Sequence, residues 1–216
     1  MRCIFATLGF EEKFAVRAIT RHGLDRGDRV CIFRGPGVER AERAAKVLKD
    51  FVERYYGGEV ELRFIEVPVE SFQGAVAAVK GALEEYSRGA SRVVVNLSGG
   101  MRVLVAAALT ALSLAELDVE PLIELELEDS SSIVSIPLSM LKASSFKQEL
   151  TEERRRLLKA LVELREATIQ ELASKLGLSQ ATVRRHIHKL MELKLVYAKG
   201  PRPFKASPAE WATILV

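Results

Sequence analysis

The most chemically suggestive stretch of the chain is Asn96-Leu97-Ser98-Gly99-Gly100-Met101-Arg102, which closes one apolar run and opens another. Two adjacent glycines permit a tight strand-to-helix turn with exposed backbone N–H groups. A helix starting directly after it aims its positive dipole end at the turn. Ser98 adds a hydroxyl and Arg102 a charge, so the segment suits a phosphate-bearing ligand. Asn96 is the chain's single asparagine, and its amide is expected to read a base or ribose edge. The first apolar run ends in Thr7-Leu8-Gly9-Phe10. In a doubly wound sheet, the ends of the first and fourth strands share one crevice. Taken alone, Gly99-Gly100 is equally a plain tight turn.

A second constellation begins at Thr168-Ile169-Gln170-Glu171, a capping-box pattern that starts a helix, which Gly177 ends. Ser179 caps the next helix. Its Val183, Ile187 and Leu190 share one face, which leaves Ala181, Thr182, Arg185, His188 and Lys189 opposite. No acidic residue occurs from Ser179 to Met191. Gln180 and Thr182 lie near the helix N-terminus, where a recognition helix meets base edges in the major groove. Arg184, Arg185 and Lys189 are placed to neutralise phosphates or reach guanine. The loop with Lys199, Arg202 and Lys205 reads as a wing between two short strands, Val196–Ala198 and 204–206. The plainer alternative is a helix-turn-helix for protein contacts with a solvated basic face. The acid-free second helix favours double-stranded DNA. His186 and His188, two residues apart, point to different faces, so polar or phosphate contacts are expected rather than a metal.

Other chemistries find little support. There is no GxxxxGK[ST], and Leu8-Gly9-Phe10-Glu11-Glu12-Lys13 is not GxGxxG. His22, the first part's only histidine, reads as a surface or capping residue, and no Ser/His/Asp or Cys/His set accompanies it. Cys3 and Cys31 lie in apolar runs without ligand spacing, as small core residues do. Neither a secretory signal nor a disulfide framework is visible. The longest apolar stretch, Val103–Ala115, is too short to span a bilayer. A cytoplasmic protein without resident cofactor or metal is expected.

The elements that must carry these residues alternate. Apolar runs at Arg2–Leu8, Arg29–Phe33, Glu59–Val67 and Arg92–Leu97 are separated by helical patterns at Glu11–Leu24, 38–56, Phe72–Tyr86 and Met101–Leu117. This spacing predicts βαβ units: a Rossmann-like α/β fold, doubly wound, with a mostly parallel sheet. Glu120–Glu128 and Ile133–Pro137, joined by a polar turn, predict a hairpin added at the sheet edge. The expected division is a ligand-sensing domain over 1–138, a linker over 139–149, and a winged helix-turn-helix domain over 150–216.

Charge supports that division. The net charge of +3 hides residues 150–216, with 13 Lys+Arg against 7 Asp+Glu, and residues 1–149, with 19 against 22. The first part is therefore −3 and the second +6, which points the second at an anionic partner. With 48% hydrophobic residues, the chain can bury a sizeable core. One asparagine and four glutamines beside 28% charged residues lean towards a thermophile. The helix at Met101–Leu117 is apolar nearly all round, which fits either a partner chain or a fully intramolecular core.

Taken together, Thr7-Leu8-Gly9-Phe10, the Asn96–Arg102 turn and the winged helix behind them resemble the archaeal CRISPR-associated transcriptional regulators of Csa3 type. These join a CARF (CRISPR-associated Rossmann fold) domain to a winged helix-turn-helix. The most specific likeness is the N-x-[ST]-G-G-x-[RK] turn, matched by Asn96, Ser98, Gly99, Gly100 and Arg102. The resemblance implies a homodimer that binds promoter or operator DNA under the control of a cyclic oligoadenylate, with cyclic tetra-adenylate the expected ring. Ser98 stands where Thr is frequent and Arg102 where Lys is frequent. Two other readings stay open: a metal-independent ring nuclease that slowly cleaves that ligand, and a regulator that senses another nucleotide or metabolite.

Overall fold

The computed structural model describes residues 1–37, 39–129, 131–143, 148–199 and 204–216. They form two compact units, Met1–Leu141 and Lys142–Val216.

In the first unit, β1 (Arg2–Leu8), β2 (Arg29–Arg34), β3 (Glu61–Glu66), β4 (Arg92–Asn96), β5 (Leu122–Glu126) and β6 (Ile133–Ile136) make one sheet in the order β3-β2-β1-β4-β5-β6. All neighbours run parallel except β6, which pairs antiparallel with β5 as the expected edge hairpin. Parallel strands need crossovers, supplied by α1 (Lys13–His22), α2 (Glu39–Tyr56), α3 (Phe72–Tyr86) and α4 (Arg102–Leu114). The central β1 is buried from Cys3 to Leu8, because helices cover both sheet faces. Phe5, Phe33, Val95, Leu104 and Leu112 form the core on the α3–α4 side. Ala6, Ile19, Ile32 and Leu48 form it on the α1–α2 side. Cys3 and Cys31 are free and buried. The Cys3 hydrogen bond and burial push the Cys31 thiol far up, so it stays protonated and inert.

The linker expected from residue 139 starts later. Leu138–Leu141 form a short helix, α5, whose Leu138 and Leu141 pack on the first core. Two apolar side chains three residues apart hold this turn to the sheet unit.

The second unit contains α6 (Glu152–Leu164), β7 (Ala167–Thr168), α7 (Ile169–Leu176), α8 (Gln180–Glu192), β8 (Val196–Lys199) and β9 (Lys205–Pro208), then a 3-10 helix over Glu210–Leu215. Thr168 and Glu171 close the expected capping box, and Gly177 ends α7 at φ +68°. Ser179 accepts from the Thr182 N–H to cap α8. Each cap contributes about 1 kcal/mol. Leu157, Leu161, Leu172, Val183, Ile187 and Leu190 share the core with Trp211. Sequence patterning misses β7 and the terminal 3-10 helix. β7 is only two residues long and exists through its pairing with β9, which places Ala167 opposite Ala206 in the sheet β7-β9-β8.

Candidate functional site

The chain reverses its winding between β1 and β4, and there the two expected loops interlock. The Thr7 hydroxyl donates to the Gly99 carbonyl at 2.6 Å. A Cβ on Gly99 would stand 2.7 Å from the Thr7 carbonyl oxygen, and one on Gly9 would stand 3.0 Å from the Gly100 nitrogen. Gly100 also sits at φ +91°. Backbone contact between the loops therefore requires the glycines. Leu8 and Leu97 are buried beneath them as anchors.

The interlocked loops floor a cavity of about 320 Å³, lined by Gly9, Phe10, Ser98, Gly99, Gly100 and Met101. Four further residues lining it, Glu11, Phe14, Arg40 and Glu128, are not singled out by the sequence. Met101 precedes α4 with no side-chain cap, so the helix's first N–H groups and dipole face this end of the sheet. Arg102 is exposed, with no hydrogen-bond or ion-pair partner among the described residues. A larger depression, about 560 Å³, lies at the opposite end of the strands among Asp25, Arg26, Tyr55 and Glu59. The carboxyl ends of α1 and α2 adjoin it, and their negative dipole ends disfavour an anion there.

Two polar residues of the turn serve its geometry. Asn96, expected to read a ligand edge, is fully buried. Its Nδ2 donates to Glu124 Oε1 at 3.2 Å, and its Oδ1 accepts from the Ser98 N–H at 3.2 Å. Both ends of the amide are therefore engaged inside the protein, which makes Asn96 a support of the turn rather than a reader of a ligand edge. The Ser98 hydroxyl accepts from the Glu126 N–H at 2.7 Å, which ties the turn to β5. Of the expected ligand residues, Thr7, Leu8, Asn96 and Leu97 are buried supports. Gly9, Phe10, Ser98, Gly99, Gly100 and Met101 line the cavity, and Arg102 follows them on α4.

Beneath the turn lies an ionic cluster that sequence patterning hides. Alternation in β5 directs Glu124 and Glu126 to solvent, yet both are buried. α1 covers that face with cations. Arg17 Nη1 meets Glu126 Oε1 at 2.6 Å, and Arg21 meets both carboxylates at 2.7 Å. His22 Nε2 lies 3.0 Å from Glu124 Oε2, with its side chain 7% exposed. His22 is thus an inward partner of a carboxylate rather than a surface or capping residue. The readable signal is Arg17 and Arg21 one helical turn apart, matching glutamates two strand residues apart.

In the second unit, Ser179, Gln180, Ala181, Arg184, Arg185 and His188 are exposed along α8, and Thr182 is half-buried. Neither Arg184 nor Arg185 has a hydrogen-bond or ion-pair partner among the described residues, so both are available to phosphates or guanine. The lysines differ. Lys189 Nζ lies 2.6 Å from Glu149 and 3.1 Å from Glu192, which raises its affinity for its proton. Lys199 and Lys205 share Glu166, at 3.0 and 2.8 Å. Lys205 first, then Lys199, holds the Glu166 carboxyl below its usual range. Arg202 lies outside the described residues. His186 does not join the exposed face: it is buried, and neither ring nitrogen has a hydrogen-bond partner. Only His188 remains for polar or phosphate contacts.

Among the described residues, no helix is long and apolar enough to cross a membrane. A Rossmann-like sheet with a cleft at its switch point, followed by a winged helix-turn-helix with free arginines, defines a two-domain DNA-binding regulator. The chain belongs to the family of the Csa3 CRISPR-associated Rossmann-like domain, whose model matches residues 2–137. Residues 151–198 match the arsR family of bacterial regulatory proteins. Among solved structures, the ST1889 protein from the thermoacidophilic archaeon Sulfolobus tokodaii is 28% identical over 34% of this chain and 82% of its own, with a TM-score of 0.29. HlyU from Vibrio cholerae is 24% identical over 35% of this chain and 85% of its own, with a TM-score of 0.31. Protein VC1899 from Vibrio cholerae is 10% identical over 99% of this chain and 63% of its own, with a TM-score of 0.44. No curated protein matches the chain.

Proposed function

We propose that this regulator is a homodimer controlled by a cyclic oligoadenylate, cyclic tetra-adenylate in the first instance, held where the switch-point clefts of two copies meet. The observation that carries the reading is the interlock of Thr7–Phe10 with Asn96–Arg102. It sets the glycine-rich backbone of both loops and the start of α4 around one cavity, with Arg102, which has no hydrogen-bond or ion-pair partner among the described residues, directly following the lining residue Met101. A two-fold ligand with several phosphates suits two such sites related by symmetry.

Dimerisation draws support from the first unit's surface. Leu104, Ala107, Ala108, Ala111 and Leu112 of α4 are buried within the chain, while Ala106 and Leu114 are exposed. At the sheet edge, Leu127, Ile133 and Val134 are 40–49% exposed. The apolar α4 is thus mostly, but not wholly, covered by its own chain.

Ligand binding would change the separation of the two α8 helices. Two half-sites one turn of DNA apart, about 34 Å, reward only a matching separation, so a small rotation alters affinity. Isothermal calorimetry with cyclic tetra-adenylate, cyclic hexa-adenylate and linear oligoadenylates, beside operator binding with and without each, tests this. A cyclic ring that binds and shifts DNA affinity is the expected result. Binding of none, with preference for another nucleotide, overturns the effector assignment. Linear products from the incubated ring identify a ring nuclease instead, and sedimentation of a monomer removes the two-fold site.

A further inference from the structure

The cleft has a wall that neither switch-point loop supplies alone. Phe10 is 52% exposed although it follows the interlocked glycines. The Arg40 guanidinium carbon, from the first turn of α2, stands 5.2 Å from the centre of the Phe10 ring. Four residues beyond Phe10, at the start of α1, Phe14 lines the same cavity, with Lys13 Nζ 5.0 Å from its ring centre. Two aromatic rings of one cleft therefore each carry a cation at cation–π distance.

The α2 end is pressed against this site. A Cβ on Gly35, in the β2–α2 connection, would overlap the Met101 methyl carbon. A third loop thus abuts the β4–α4 turn and brings Arg40 to the cavity. Glu11 organises the cations. It lies 2.6 Å from Lys13, and Lys13, with a smaller contribution from Arg40, keeps its carboxyl below the usual range.

We propose that Arg40 and Phe10 form a stacking platform for one adenine base, with Arg40 a ligand-binding residue outside both switch-point loops. This rests on the oligoadenylate reading. An aromatic ring and a planar guanidinium both accept a stacked base. The cavity, about 320 Å³, lies at the small end of the ~300–1,000 Å³ range of ligand pockets, as one nucleotide of a shared ring requires. Charge orients that nucleotide. Glu128 on the cavity lining repels a phosphate and accepts from an exocyclic amine. The phosphate then faces the Gly99–Gly100 N–H groups and the base faces Phe10 and Arg40.

The probe is cyclic tetra-adenylate with 2-aminopurine in place of one adenine, whose fluorescence is quenched by stacking. The full-length wild-type chain should bind it with quenching. Phe10→Leu and Arg40→Met should each lose about 5- to 150-fold in affinity, the range for one base stack, and relieve the quenching. Arg40→Lys keeps the charge without the plane, so it should recover affinity at low salt without the quenching. Arg43→Met, one turn along α2 in an exposed pair with Glu39, should match wild type, with melting temperatures equal throughout. Wild-type affinity and quenching in Phe10→Leu and Arg40→Met overturn the platform and leave the effector reading standing. Failure of the wild-type chain to bind any cyclic oligoadenylate overturns both.

Discussion

Asn96 Nδ2 donates to Glu124 Oε1 across 3.2 Å, with both side chains buried. This contact joins the ligand-side turn above to the ionic cluster below. The same Asn96 amide accepts from Ser98, and Glu124 also receives Arg21 and His22. The turn is thereby fixed by side chains that face away from the cavity. Its ligand-side groups are backbone, whose direction depends on those anchors.

Asn96→Ala should therefore act first on stability. It removes a donor from a buried carboxylate and an acceptor from the Ser98 N–H, at a cost of about 1–3 kcal/mol for each group left unsatisfied. Thermal unfolding of the full chain should show a lowered Tm, and oligoadenylate affinity should fall with it because the turn loosens. An unchanged Tm together with weakened ligand binding would restore Asn96 as a direct ligand contact.

The supports of the cleft are legible in the sequence and the groups around them are not. Arg2–Leu8 and Phe72–Tyr86 agree to the residue because apolar periodicity and caps bound them locally. The Asn96–Arg102 turn stands out because its two glycines stand with an asparagine, a serine and an arginine at the start of a helix. Glu124 and Glu126 mislead because alternation supposes a wet face, and only tertiary structure brings Arg17, Arg21 and His22 there. Arg40 carries no local signal: it is one charged residue among many on α2 until folding places it over Phe10. The exposed face of α8 is legible in its arginines. The burial of His186 is hidden because a histidine between Arg185 and Ile187 reads as polar.

Free and paired cations should differ on DNA. Arg185→Ala removes an exposed arginine with no hydrogen-bond or ion-pair partner among the described residues, and should weaken operator binding about tenfold. Lys189→Ala should cost less, since that ammonium already pairs with Glu149 and Glu192. Fluorescence anisotropy at several salt concentrations separates the cases. If Arg185 meets a phosphate, its removal reduces the salt slope by about 0.9. If it meets a base edge instead, the slope stays and sequence preference flattens. Binding unaltered at every salt concentration would remove α8 as the recognition helix.

His186 should give the second unit a pH-dependent stability. Burial first, and the nearby Arg154 and Arg185 charges after it, depress its pKa, while Glu153 at 3.5 Å opposes them in part. The folded state thus prefers the neutral ring, and the unfolded state binds the proton more readily. The stability it contributes is full above the unfolded value, about 6.5. It is lost progressively as pH falls below that value and levels off under the folded pKa. Urea unfolding of the full chain, followed through Trp211 fluorescence, should show this fall as pH drops below about 6.5. His186→Leu should remove the histidine's share of it and spare two unbonded ring nitrogens their burial. An identical fall in the variant would assign it to the carboxylates instead.

Glu166 sets how much charge the wing offers to DNA. One carboxylate holds both Lys199 and Lys205, so a phosphate approaching either ammonium competes with an ion pair already formed. Glu166→Gln keeps the side chain's size and hydrogen-bonding reach but removes its charge. Operator affinity should therefore rise severalfold near 50 mM salt, the gain should shrink by 200 mM, and the salt slope should steepen by about 0.9 per lysine released. If Glu166 instead braces the lysines in position for DNA, affinity should fall at low salt and the slope should become shallower. The sign of the slope change separates masking from bracing, since only released lysines add phosphate contacts.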